Sequence, residues 1–215
     1  MNRRNFSLSA GALGLVSLTG GVLAQQPVKP AGQGFRTLAN PVRTEVPTGK
    51  VEVVELFSYN CPHCAAFEPE LEQWLKKLPD YVEFRRIPVN FVGSDFEAKQ
   101  RLYYTLEALG KLDTHHSQVF TAIHNKGENL TGDERTLAWA AKQPDLDGKK
   151  FADMYKSFSV VGKAKRATQL TDAYRPEGVP ALIIDGRYYV DGTSAGTIGR
   201  MLDVGSTLVK QQHKG

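Results

Sequence analysis

The stretch Val51-Glu52-Val53-Val54-Glu55-Leu56-Phe57-Ser58-Tyr59-Asn60-Cys61-Pro62-His63-Cys64-Ala65 decides the fold. Val51–Ser58 is apolar at nearly every position, as a strand covered on both faces would be. A helix-like segment runs from Ala65 to Lys77, with Leu71, Trp74, Leu75 and Leu78 at helical spacing. Pro62 suits its first turn, where a missing N–H is no loss, and Pro69 is expected to kink it. The two cysteines of the 215-residue chain both sit at this strand-to-helix junction. A dithiol there is a redox device, because helix N-terminal N–H groups and the macrodipole stabilise a thiolate.

Two other readings of the cysteine pair are weaker. As a staple it closes a four-residue loop, for which chain entropy gives roughly 2 kcal/mol, and a chain of this length hardly needs it. As a zinc site it supplies two of four ligands; His115, His116 and His124 are available, but there is no second Cys-x-x-Cys. Cys61, at the helix start, is the expected nucleophile, with Cys64 one turn in and buried. A free thiol of pKa ~8.5 is only a few per cent ionised at pH 7, so lowering that value gives up to ~30-fold more thiolate. His63, if charged or aimed at the Cys61 sulfur, adds to the helix dipole.

Glu55 is the oddity of the strand. A carboxylate in an apolar strand is costly if it stays charged and unpaired. Lying six positions before Cys61, it can sit beneath the site near Cys64 and take a proton from that thiol as it resolves a mixed disulfide. The bland alternative is a wet patch.

Working outward, Val82–Val89 reads as a second strand, and Phe35–Leu38 as a short edge strand after a Pro-, Gly- and Gln-rich leader. From Asp95 to about Tyr174 the pattern is helical throughout. Strands return at Ala181–Ile184 and Arg187–Val190 around an Asp185-Gly186 turn, a hairpin signal. A terminal helix carries Ile198, Met201, Leu202 and Leu208. Strand, helix, strand, helical block, hairpin and helix make an α/β unit interrupted by an all-helical insertion. Gly178-Val179-Pro180-Ala181 opens the late strand; Pro180 there is either cis in a tight turn or a trans strand cap. His115-His116 reads as a helix N-terminal pair, and Trp74 and Trp139 read as core. The Asn129-Leu130-Thr131 sequon is of a kind common by chance.

The N-terminus reads as an export signal. Arg3-Arg4 precedes a mildly apolar stretch from Phe6 to Leu23, and Val22-Leu23-Ala24 is a small-residue cleavage site. The stretch is too short and too rich in Gly and Ser for a convincing membrane span. No cysteine lies near Ala24 to carry a lipid. Arg3-Arg4 with Phe6 fits the twin-arginine route and the general secretory route alike. Export to an oxidising compartment is where disulfide chemistry belongs. Two charges of the net +4 lie in this segment, and Lys76-Lys77, Arg85-Arg86 and Lys149-Lys150 read as solvated pairs. Nothing demands nucleic acid.

Together these residues resemble the thioredoxin superfamily and, within it, the DsbA family of periplasmic disulfide oxidases. Phe57 through Cys64, with its Pro62-His63 dipeptide, is similar to that family's active-site segment. Glu55 falls at its buried acid, Gly178-Val179-Pro180-Ala181 at its cis-proline loop, and Pro69 at the kink-forming proline. The resemblance implies a thioredoxin-like fold with an inserted all-helical domain. It divides the chain into a signal peptide (1–24), a mobile leader (25–34), a thioredoxin-like first part (35–94), a helical insertion (95–174) and a thioredoxin-like second part (175–215).

It further implies that Cys61–Cys64 is an oxidising disulfide donated to folding exported proteins, without a cofactor or metal. Substrate would lie beside Val179 and Pro180, a DsbB-like membrane quinone reductase would reoxidise the pair, and the protein would be a periplasmic monomer. Where the family often has a Lys near the buried acid, this chain offers Arg86, which is expected to favour ionised Glu55. A reductase or isomerase of the DsbC or DsbG type is the first rival, but only Gln25 to Gly34 precedes the first strand, too little for a dimerisation domain. A non-catalytic peptide-binding or chaperone module is the second.

Overall fold

A computed structural model describes residues 32–213. The export signal, with Arg3-Arg4 and Val22-Leu23-Ala24, and most of the leader lie outside the described residues. A mixed five-stranded sheet organises the chain, in the order β1 (Arg36–Thr37), β5 (Tyr188–Asp191), β4 (Ala181–Ile184), β2 (Val51–Phe57), β3 (Val82–Pro88). β2 and β3 are parallel and joined by helix α1 (Pro62–Leu75), while β4 pairs antiparallel with both β2 and β5. Every residue of β2 and β4 is buried, which is why β4 reads as an unbroken apolar run and β2 as one interrupted only by Glu52 and Glu55.

Side chains alternate across the sheet and so build two cores. Val51 and Val53 of β2, with Leu182 and Ile184 of β4, pack on Phe67 and Leu71 of α1 and on Met201 and Leu208 of the last helix, α8 (Arg200–His213). Val54 and Leu56, with Ala181 and Ile183, face the other way into a larger core with Leu102, Leu106, Leu170 and Tyr174. Full burial of each such Leu or Ile contributes roughly 1.5–3 kcal/mol.

The second core is built by the helical block between β3 and β4: α2 (Phe96–Ala108), α3 (Leu112–Phe120), a π-helical turn (Thr121–Asn125), α4 (Gly132–Ala140), α5 (Gly148–Tyr155) and α6 (Phe158–Tyr174). α7 (Gly192–Ala195) is a short helix that sequence periodicity did not show, started by a capping box in which Asp191 and Ser194 bond each other's backbone. The β4–β5 turn has positive φ at Asp185 (51°) and Gly186 (62°), the left-handed pair of a tight hairpin. Gly186 also accepts the Val42 N–H at 2.8 Å, an approach that leaves no room for a Cβ.

Pro69 lies inside α1, which runs on to Leu75. The His115-His116 reading needs correction: both residues sit in the body of α3 and are buried. Trp139 is core, but Trp74 is only partly buried and donates its indole N–H to Ser206 at 2.7 Å. Among the described residues no helix is long and apolar enough to cross a membrane.

Candidate active site

β2 ends at Phe57, and Ser58-Tyr59-Asn60 carries the chain to Cys61, the N-cap of α1, with extended φ/ψ of −93° and 116°. Pro62 takes the first helical position, so the first free backbone donors are the N–H groups of His63 and Cys64. No acidic side chain occupies the first turn, leaving the positive helix end to the Cys61 sulfur. Both cysteines are free thiols; Cys61 retains 7% exposure and Cys64 none.

The two thiols differ in acidity. Cys61 is lowered to about 6, chiefly by the hydrogen bond from the Cys64 thiol, which outweighs burial; the N–H groups of Cys64 and His63 and the His63 charge add to it. Cys64 is pushed far above the ordinary thiol range by burial, by its bond to Cys61 and by the nearby charges of Cys61 and Glu55. The sulfur that keeps some access to solvent is therefore the readily ionised one, and the fully buried one remains a thiol.

Two sides of the site come from distant segments. The Val179–Pro180 peptide is cis, and the Cys61 thiol points at the Val179 carbonyl at 3.4 Å. His63, Val179, Pro180, Thr193 and Ile198 line a cleft of about 370 Å³ beside it. On the other side the helical block grips the loop before Cys61. Tyr59 bonds the His116 imidazole through its hydroxyl at 2.7 Å and accepts from His124 on its carbonyl at 2.8 Å. Asn60 bonds Val92 O at 3.1 Å and Asp95 at 2.9 Å. Gly93, at φ 81°, passes so close to the Asn60 amide that a side chain there would strike it.

Beneath the cysteines lies a buried charge cluster. Glu55 stands opposite Arg86 in β3 and Leu182 in β4. The Arg86 guanidinium donates to Glu55 at 2.9 Å, to Glu68 at 2.7 Å and to Glu72 at 2.7 Å. Glu55 and Glu68 are buried, and Glu72 is half-exposed. The expectation that Arg86 favours ionised Glu55 holds in sign, but other effects outweigh it. Arg86 is there, but burial raises Glu55 to about 8 against the Arg86 charge, with Glu68 and Glu72 adding to the rise. One guanidinium shared by three carboxylates does not keep the most buried of them charged. On the opposite face of β2, Glu52 pairs with Arg85 at 3.0 Å.

The sequence brought forward Cys61, Pro62, His63, Cys64, Glu55, Val179 and Pro180, and all seven meet in this region. Tyr59, Glu68 and His116 were missed, because their roles depend on contacts up to 57 residues apart in the chain. A buried-acid signal was available at Glu68, which recurs with Leu71 on the inner face of α1. The three histidines weighed as zinc ligands are committed elsewhere: His115 to Asp145 and Thr114, His116 to Tyr59 and Glu68, and His124 to the Tyr59 carbonyl. Among the described residues no cluster of three or more such side chains is arranged to hold a metal ion.

Comparison with known proteins agrees with this geometry. The family model of the DSBA-like thioredoxin domain matches residues 52–198. The chain is 37% identical over 209 residues to thiol:disulfide interchange protein DsbA of Pseudomonas aeruginosa, covering 97% of each chain. It is 36% identical over 197 residues to the protein of the same name from Burkholderia cepacia, covering 91% of this chain and 92% of that one. The crystal structure of Pseudomonas aeruginosa DsbA superposes with a TM-score of 0.77 at 37% identity, over 84% of this chain and 93% of that one. The oxidoreductase NmDsbA1 of N. meningitidis gives 0.74 at 30% identity, over 86% and 95%. With its thioredoxin-like sheet, inserted helical block and Cys61–Cys64 junction, the chain belongs to the DSBA-like thioredoxin domain family, whose DsbA members are thiol:disulfide oxidoreductases.

Proposed function

We propose that this protein is a periplasmic thiol:disulfide oxidase that donates a Cys61–Cys64 disulfide to exported proteins as they fold. The observation that carries this reading is the asymmetry of the pair: Cys61 is lowered to about 6 while Cys64, behind it, is held as a thiol. A substrate thiolate attacks the Cys61 sulfur, forming a substrate–Cys61 disulfide and breaking the Cys61–Cys64 bond. Cys64 leaves with the electron pair and takes a proton from the Glu55 carboxyl. A second substrate thiol loses its proton to water and attacks the substrate sulfur of the mixed disulfide, and Cys61 leaves as the thiolate. The substrate is oxidised and the cysteine pair reduced.

Each site residue has a part in this reading. Pro62 starts the helix whose end stabilises Cys61, and His63 adds positive charge beside it. Val179 and Pro180 receive the extended substrate in the cleft. The only redox group needed is the cysteine pair. A DsbB-like quinone reductase in the inner membrane restores the disulfide, and the protein works as a monomer without nucleic acid. Segment 1–24 is the export signal, 25–34 a leader, 35–94 and 175–215 the two parts of the thioredoxin-like domain, and 95–174 its insertion.

The reduction potential of the pair, measured in graded glutathione buffers at pH 7, tests the reading. A value above about −180 mV supports a disulfide donor, and one near or below about −250 mV makes the protein a thioredoxin-like reductant.

A further inference from the structure

The charge cluster beneath the cysteines extends into the helical block through one imidazole. His116 of α3 is 4% exposed, and its Nδ1 lies 2.7 Å from the hydroxyl of Tyr59, which is fully buried. Its Nε2 lies 3.4 Å from Glu68 Oε2, and neither of these two buried atoms has a hydrogen-bond partner among the described residues, so each faces the other as its nearest polar group. The other oxygen of Glu68 is on Arg86. Burial pushes the Tyr59 hydroxyl far up, so it donates to Nδ1. The ring proton then sits on Nε2 and faces Glu68.

The groups facing His116 are Tyr59 from the loop after β2, Glu68 and Glu72 from α1, Arg86 from β3 and the Tyr103 ring from α2. Around Arg86, three carboxylates meet one fixed positive charge, a balance of −2 if all ionise; a neutral imidazole leaves that unchanged. Such a cluster keeps a proton. Glu72 reaches water, so the buried competitors for it are Glu55 and Glu68.

We propose that His116, oriented by Tyr59, is a positioning residue for the thiol chemistry: its Nε2–H holds Glu68 as the anion and so leaves the proton of the cluster on Glu55, the carboxyl that acts on Cys64. The charges of the two acids agree with that division. Burial raises Glu55, whereas burial of Glu68 is outweighed by its contact with His116 and by Arg86, and Glu68 ends below the ordinary range. Burial also lowers His116, keeping it neutral at pH 7.

This inference rests on the oxidase reading for its purpose, but its test does not. The carbonyl stretch of a buried, protonated carboxyl is followed by infrared difference spectroscopy on the reduced protein. In the wild type, E55Q removes this band and E68Q leaves it. In His116→Phe, which suits the surrounding Phe57, Tyr103 and Phe120 rings, the proton moves to Glu68, so E68Q removes the band and E55Q does not. The upper limb of the pH–rate profile for disulfide donation shifts to lower pH by about one unit, so the rate at pH 8 falls about fivefold.

His116→Gln, whose amide can still donate to Glu68, restores the wild-type profile. Tyr59→Phe removes only a hydroxyl, frees the ring to turn its lone pair on Glu68, and gives the His116→Phe pattern if that variant does not fold. A band that still follows E55Q in folded His116→Phe or Tyr59→Phe, with a profile overlaying the wild type, overturns the proposal. A reductant-like potential with the infrared pattern intact removes the oxidase reading and leaves the proton placement standing.

Discussion

The Cys61 sulfur faces the carbonyl oxygen of Val179 at 3.4 Å, although 118 positions separate the two residues in the chain. That oxygen accepts the thiol proton but offers nothing to a thiolate. Everything that stabilises the ionised sulfur therefore comes from the other side: the Cys64 thiol, the N–H groups of Cys64 and His63, and the His63 charge.

Removing the largest of these contributions has a defined effect. Cys64→Ala deletes the S–H donor and raises the Cys61 pKa from about 6 by about one unit or more, whereas Cys64→Ser keeps a hydroxyl donor and a low value. Thiolate absorbance near 240 nm followed against pH measures both. Equal titrations for Cys64→Ala and Cys64→Ser would mean that the helix end alone sets the value.

The reduced protein carries this shift as stability. The folded-state value of about 6 lies below the unfolded thiol value near 8.5, so the stabilisation is fully present above pH ~8.5 and is lost as pH falls through about 6. Discounted for solvent screening, it contributes on the order of 1 kcal/mol at pH 7 and above. Urea unfolding under reducing conditions should show wild type gaining on Cys61→Ser as pH rises from 5 to 8. Parallel curves would sink this account.

Glu55 has the opposite sign. Its folded value of about 8 lies above the unfolded carboxylate value near 4.3, so its contribution is intact below pH ~4.3 and declines until pH passes about 8. The stability of wild type relative to Glu55→Gln should therefore fall by about 1–3 kcal/mol between pH 4.5 and 8. The slope carries the prediction, because Gln also weakens the bond to Arg86. A flat difference across that range would show Glu55 ionised throughout.

Arg86 anchors three carboxylates through two nitrogens. Arg86→Met leaves Glu55 and Glu68 buried with no cation and should cost about 3–5 kcal/mol in denaturant unfolding at pH 7. Arg86→Lys restores part of that, because an ammonium keeps the charge but not the planar fork that reaches all three partners. A loss under 1 kcal/mol for the Met variant would mean that the carboxyls have already taken up protons.

Much of this protein was legible before any coordinates. β2 announced itself by a run apolar at all but Glu52 and Glu55, because a strand buried on both faces has no solvent-facing side to make polar. The order of strands and helices, the Asp185-Gly186 turn and the cysteine pair at a helix start are local patterns, set by residues within a few positions of one another. Glu55 drew notice for a local reason too, as an acid deep inside a largely apolar segment.

What the amino-acid order determined by itself is thus the α/β frame, the place of the dithiol and the oddity of Glu55. Tertiary structure alone decided which charges those groups carry. Arg86 was expected to favour ionised Glu55, and it does, but burial outweighs it, and packing also brings Glu68 and Glu72 onto the same guanidinium. His116, read as a helix-end residue, became the buried partner of Tyr59 and Glu68 when α3 folded against the active-site loop. Secondary structure follows from short-range pattern, but ionisation depends on burial and on every charge within a few ångströms. In this protein those charges come from β2, α1, β3 and α3, and only the folded chain brings them together.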